Sequence, residues 1–150
     1  MKITSSTFEH EGLIPAKHTC SAEGISPPLA ISDVPSEAKS LALIMDDTDV
    51  PTFFRADGMW VHWVVFNIPP TISEINEGQE PEGIHGAGTG ENLNYYGPCP
   101  PDKEHRYYFK LYALDAMLDL QEKATKEQVE AAMEGHILAK AELMGRYSMV

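Results

Sequence analysis

The chain has 150 residues, 43% of them apolar and 23% charged, which suits one globular domain with room for a real core. Its net charge is −12, from 23 acidic and 11 basic side chains. That field excludes bulk nucleic-acid binding and repels anionic membrane surfaces, so any bound anion must be held by a local pocket. Eleven glycines and eleven prolines favour a turn-rich β or α/β architecture over a helical bundle.

The N-terminal stretch MKITSSTFEHEGLIPAKHTC has no apolar signal region. No apolar run approaches the ~18–20 residues of a membrane span. A cytoplasmic location is therefore expected. Cys20 and Cys99 are too few for a disulfide framework and show no Cys-x-x-Cys spacing. Two reduced thiols are the favoured reading, with a single Cys20–Cys99 bridge as the alternative.

Ser40–Asp47, SLALIMDD, is a short apolar run ending in acid and predicts a buried strand. Met59–Pro70, MWVHWVVFNIPP, is rich in β-branched and aromatic residues and closed by a proline pair, so it predicts a second strand. His105–Asp115, HRYYFKLYALD, predicts a third. Thr71–Pro101 between them, about thirty residues, reads as a long loop of a kind that is often functional. The C-terminal TKEQVEAAMEGHILAKAELMGRY is full of good helix formers. Thr125 and Gln128 fit a capping box, and Gly135 is expected to separate two helical segments. No repeat or linker divides residues 1–150. Strands first and helices last predict one antiparallel β core with peripheral helices.

Three places hold polar residues against rigid turns. Asp46, Asp47 and Asp49 stand where the first strand runs out; three such acids before Pro51 are also ordinary turn chemistry. His62 interrupts an apolar strand, and alternation places it with Trp60, Val64 and Phe66. It is either a satisfied core histidine or part of a site. His105 and Arg106 follow the proline-rich GPCPPDKE. Metal ligation has no recognised spacing, Cys99 lies between prolines that stiffen it, and GAGTGE lacks the lysine and helix of a phosphate loop. No cofactor and no metal are expected.

Together these stretches resemble the phosphatidylethanolamine-binding protein family, in its bacterial and archaeal branch often called Raf-kinase-inhibitor-like. The resemblance rests on DDTDVP, WVHWVVFNIP and GPCPPDKEHRYYFKLYALD, with SPPLAI and GHILAKAELMGRY in support, in that family's order and over roughly Phe8 to Tyr147. Thr48 departs from the family's usual proline in the acidic turn. The resemblance implies two antiparallel sheets with small helices. It implies a non-enzymatic pocket for the anionic head of a small ligand, such as phosphate, a phosphorylated residue or a phospholipid head group. Asp47, Asp49, His62, Pro98, Pro100, His105 and Tyr107 would form that pocket, with both histidines as N–H donors. Regulation of a kinase or protease and a homodimer are further implications. Arg106, next to His105, is expected to point the other way, into a structural ion pair. Two other readings stand beside this one: a small hydrolase or isomerase using His62 or His105 as general base, and an inhibitor that works through the Thr71–Pro101 loop.

Overall fold

In the computed structural model, which describes residues 1–149, the chain forms two sheets and one short helix. The strands are β1 (Lys2–Thr4), β2 (Gly12–Leu13), β3 (Leu29–Ser32), β4 (Ser40–Asp47), β5 (Trp60–Ile68), β6 (Glu74–Ile75), β7 (Ile84–His85), β8 (His105–Leu114) and β9 (Ile137–Tyr147); the helix is α1 (Lys126–Met133). The small sheet runs β1-β3-β6 and the large one β2-β9-β8-β4-β5-β7. Every pairing is antiparallel except the short β2–β9 contact, which is parallel.

The two sheets face each other across the main core. Ile3, Leu29, Ile31 and Ile75 of the small sheet pack with Leu41, Leu43, Met45, Trp63, Val65, Phe109, Leu111 and Leu143 of the large one. A second core covers the opposite face of the large sheet, where Ala42, Ile44, Val61, Val64 and Phe66 meet Val129 and Met133 of α1. With both faces covered, β4 is buried along its whole length. That explains why its sequence is a continuous apolar run rather than an alternating one. Among the described residues, no helix is long and apolar enough to cross a membrane.

Two expectations are corrected here. The C-terminal segment is not a second helix. The capping box at Thr125 and Gln128 forms, α1 ends at Met133, and Gly135 takes a left-handed conformation (φ 79°) just beyond. Ile137–Tyr147 then pairs with β8 along nearly its full length. Ala139, Ala141 and Leu143 alternate towards the main core while Lys140 and Glu142 do not. Burial on a sheet outweighs helix propensities that differ by only about 0.7 kcal/mol per residue between ordinary residue types. The cysteines are not reduced: Cys20 and Cys99 form a disulfide across 79 residues.

The third change concerns β5. Strict alternation fails at two register shifts against β4, one of them between Met45 and Asp46. Val61 pairs with Asp46 and Trp63 with Met45, which leaves His62 as the extra residue of a β-bulge. Val61 therefore joins the helix-side core with Val64 and Phe66, while Trp63 and Val65 join the main core. His62 sides with Trp63, against Tyr107 of β8. Bulges re-aim side chains next to binding sites, and this one turns a histidine out of the alternation.

Candidate functional site

The bulge, the end of β4, the start of β8 and the proline-rich turn converge on one cavity of about 260 Å³. Asp47, His62, His105 and Tyr107 belong to its lining, with Trp60, Tyr96, Cys99, Pro100 and Pro101 around them. Val50, Pro51 and Phe54 complete it from the loop after β4. Of the residues expected from sequence, five are therefore brought together. Asp49 and Pro98 are not part of the lining.

Asp49 receives the Arg106 guanidinium in a bidentate pair, Nε to Oδ2 at 2.9 Å and Nη2 to Oδ1 at 2.7 Å. Arg106 holds the Asp49 carboxyl below its ordinary range. Arg106 thus enters an ion pair, as its position one residue from His105 predicts. Pro98 is buried, and its carbonyl accepts a hydrogen bond from the Cys20 amide at 3.1 Å. It anchors the turn behind the wall. Asp47 also does the turn work expected of it: Oδ1 accepts the Asp49 amide at 2.8 Å.

His105 is almost fully buried, and its two ring nitrogens are both committed. Nδ1 donates to Asp47 Oδ2 and Nε2 to Asp102 Oδ1, each at 2.6 Å. Burial alone would lower its pKa, but these two carboxylates outweigh burial and raise it above 6.5. With a carboxylate on each nitrogen, His105 has no N–H left for a ligand. For Asp47 burial dominates and pushes the carboxyl up, against the His105 contact. The expected pair of histidine donors is corrected accordingly: His105 is a clamp that positions Asp47.

His62 differs in every respect. Its Nδ1 lies 2.7 Å from the Tyr96 carbonyl oxygen, so Nδ1 carries the hydrogen. Its ring stacks on Tyr96 (centroids 5.8 Å, 23°) and meets the edge of Tyr107 (5.4 Å, 76°). Burial lowers its pKa to about 4. At neutral pH it is an uncharged ring whose Nε2 is a lone-pair acceptor. Among the described residues, Trp60 Nε1 and Tyr107 Oη are buried without a hydrogen bond of good geometry, and Tyr107 Oη lies beside the Asp47 carboxyl and the Cys99 backbone. Burial, and then the neighbouring Asp47 carboxylate, push the Tyr107 phenol well above its ordinary ionisation range. Unpaired buried donors cost about 1–3 kcal/mol each, and in native proteins they call for a partner.

The long Thr71–Pro101 stretch builds the wall behind this site and is pinned at many points. Glu80 accepts from Trp63 Nε1 (2.8 Å) and from the Tyr95 amide (3.1 Å), Tyr95 Oη donates to the His18 carbonyl (2.7 Å), and Asn92 Nδ2 donates to the His62 carbonyl (2.7 Å). Gly86 and Gly88 of GAGTGE serve close packing. A Cβ on Gly86 would collide with the Ala124 carbonyl oxygen.

Sequence reasoning passes over Tyr96, Trp60, Phe54 and Asp102. Asp102 had a readable signal, an acid three residues before His105 in a proline turn. Tyr96 and Phe54 had none, because they act through a backbone carbonyl and an exposed ring. On the reverse face of the sheet, Asp46 is wholly buried. It is paired with Lys110 (2.9 Å) and Lys126 (3.0 Å), away from the cavity.

A two-sheet protein with a ligand-sized pocket beside a bulged strand is the class these features define. Residues 4–148 match the family model for phosphatidylethanolamine-binding protein, and the chain belongs to that family. It is 54% identical over 147 residues to a UPF0098 protein of Chlamydia muridarum, covering 98% of each chain. It is 48% identical to one of Methanothermobacter thermautotrophicus, again with 98% of each covered. Among solved structures it is similar to a phosphatidylethanolamine-binding protein homolog of Chlamydia trachomatis, with a TM-score of 0.96, 50% identity, and 99% and 97% of the two chains covered. It is also similar to Escherichia coli YbcL, a member of the mammalian PEBP family, with a TM-score of 0.88, 27% identity, and 99% and 98% covered. Family membership supports a binding-protein role.

Proposed function

We propose that the protein is a non-enzymatic binding module whose pocket takes the phosphate-type head of a small anionic ligand. One observation carries this reading. Among the described residues, buried Tyr107 Oη and Trp60 Nε1 make no hydrogen bond of good geometry, and His62, another lining residue, is bonded through Nδ1, while Asp47 and His105 satisfy each other. Two N–H or O–H donors and one ring nitrogen in a dry aromatic recess suit a compact oxyanion. Pro100 and Pro101 form a wall with no N–H and little freedom to lose on binding. Asp49 and Pro98 support the site from outside: one fixes Arg106, the other ties the turn to Cys20.

The reading extends to a protein partner. Phe54 of the lining is 64% exposed and its sequence neighbour Phe53 91% exposed, an apolar pair that a kinase or protease surface would cover. A general-base role is less well supplied, because both nitrogens of His105 are occupied and His62 alone remains as a base.

Tyr107→Phe tests the pocket. The hydroxyl makes no hydrogen bond of good geometry among the described residues, so its removal should change urea stability by less than about 1 kcal/mol. Phosphate or phosphoethanolamine affinity should fall about tenfold, the worth of one hydrogen bond to a charged group. Equal affinities in calorimetry for the wild type and the variant would count against an anion at this floor.

A further inference from the structure

Cys20 and Cys99 are both exposed, and a third sulfur lies over their bridge. Met149 Sδ stands 3.8 Å from Cys20 Sγ and 4.0 Å from Cys99 Sγ. A disulfide sulfur carries no hydrogen, so these are sulfur–sulfur contacts rather than hydrogen bonds. The three residues come from distant parts of the chain, and each segment is held by bonds other than the bridge. The Cys20 amide donates to the Pro98 carbonyl at 3.1 Å, one residue before Cys99. Gly97 packs against the His18 backbone, and Tyr95 Oη donates to the His18 carbonyl at 2.7 Å. Tyr147, two residues before Met149, bonds through its hydroxyl to Ser21 Oγ, the neighbour of Cys20, at 2.6 Å. Reduction of the bridge therefore leaves two thiols and a thioether side by side.

We propose that the reduced protein binds one Cu(I) ion through Cys20, Cys99 and Met149, in a three-coordinate all-sulfur site beside the pocket wall. This goes beyond the anion reading and does not depend on it. Sulfur ligands stand about 2.3 Å from a metal, so three of them around a trigonal ion lie about 4 Å apart. Both contacts of Met149 already have that length. The cysteine Cα atoms, 5.4 Å apart, let the two freed side chains rotate to open the third side of the triangle.

The donor set selects the ion. Thiolates and thioethers are soft ligands that favour Cu(I). Zn²⁺ takes four ligands drawn from cysteine, histidine and carboxylates, and among the described residues no group of three such side chains stands together. The expectation of no metal weighs cysteine, histidine and aspartate spacing and passes over methionine. Met149 is 51% exposed, so the site is open to solvent, and the net charge of −12 draws cations towards it. The steps balance. Two molecules of a small thiol reduce the bridge, giving the Cys20 and Cys99 thiols and one small-molecule disulfide. Cu(I) then displaces both thiol protons to solvent, leaves a singly negative site and keeps its oxidation state throughout.

The test uses the full chain, reduced without oxygen by a water-soluble phosphine, which leaves as its oxide with oxygen from water, and then desalted. Cu(I) is supplied as its coloured bicinchoninate complex, and the colour fades as the protein takes the metal. The reduced chain should withdraw one Cu(I) and the oxidised chain none. X-ray absorption should show three sulfur neighbours, and added Zn²⁺ should not displace the copper. Met149→Leu changes an exposed side chain and should keep the fold. It should weaken Cu(I) about tenfold or more and leave two sulfur neighbours. Cys99→Ser should lose the metal. A reduced wild type that takes no copper from bicinchoninate would overturn the inference. So would a reduced chain that circular dichroism finds unfolded, since the site needs the backbone bonds named above. Equal Cu(I) affinities for wild type and Met149→Leu would overturn it as well, and would make Met149 a packing contact on the bridge.

Discussion

At the residue scale, two histidines at 5.4 and 6.4 Å from the same tyrosine ring carry opposite electrostatic consequences. His62 is neutral in the folded protein down to about pH 4, whereas a free histidine protonates near 6.5. Between those values the unfolded chain binds the extra proton, so stability falls as pH drops through that window, by about 3 kcal/mol when complete. His105 has the reverse sign. Its folded pKa lies above 6.5, so its contribution is fully present below pH 6.5 and is lost as pH rises through the folded value. Urea midpoints at pH 4.5, 6.5 and 8.5 should therefore peak near the middle. His62→Phe should flatten the acid limb and His105→Gln the alkaline limb. An unchanged acid limb in His62→Phe would mean that His62 is charged in the fold. Only part of this was legible in the sequence. That His62, His105 and Asp47 share a location is implied by the resemblance of their three segments to the family, not by strand periodicity, which places His62 inside a strand. Which histidine is neutral could not be read, because the Tyr96 carbonyl and Asp102 reach them through a loop and a turn whose paths no periodicity encodes.

At the element scale, the strands that show in the sequence are those whose burial leaves a simple pattern. Ser40–Asp47 is buried on both faces and reads as an unbroken apolar run. The short β6, β7 and β1 are two or three residues long and leave no period to detect. β9 carries the most instructive mismatch. Its alanines, leucines and Glu142 favour a helix, while the alternation of Ala139, Ala141, Leu143 and Gly145 already follows a strand. Gly145 shows why the strand is held there, since a Cβ on it would lie 2.5 Å from Ile14 Cγ1. The pocket wall depends on a similar close approach. Gly97 opens the proline turn under the loop of His18, and a Cβ there would meet the His18 oxygen at 2.5 Å and Thr19 Cα at 3.0 Å. Both neighbours are backbone and cannot swing aside. Gly97→Ala should therefore cost about 1–3 kcal/mol in chemical denaturation, the usual range for overpacking. It should also displace Pro98–Pro101 and weaken phosphate binding. Wild-type stability in the Gly97→Ala variant would show that this turn has slack.

At the scale of the whole molecule, the Cys20–Cys99 bridge joins the loop that follows Ala16–His18 to the wall of the cavity, and Cys99 is itself a lining residue. Both cysteines are solvent-exposed. Closing 79 residues of chain limits the unfolded ensemble, and native bridges of this kind are worth about 2–4 kcal/mol. Cys20→Ser with Cys99→Ser, or the reduced wild type, should melt roughly 5–15 °C lower, given about 2–4 °C per kcal/mol at this chain length. Binding reads a separate quantity. The wall is also held by the Cys20 amide on the Pro98 carbonyl and by Gly97 packed against His18, so reduction should weaken phosphate affinity only a few-fold while stability falls by more. An affinity loss of about a hundredfold would instead make the bridge the main support of the pocket. That comparison bears directly on where the protein works. Exposed disulfides persist in oxidising compartments and are rare in reducing ones. If the reduced protein still binds phosphate, the pocket can operate on either side of that divide. If it does not, only the oxidised protein is a binding protein, and the compartment that keeps Cys20 and Cys99 joined is the one in which the pocket acts.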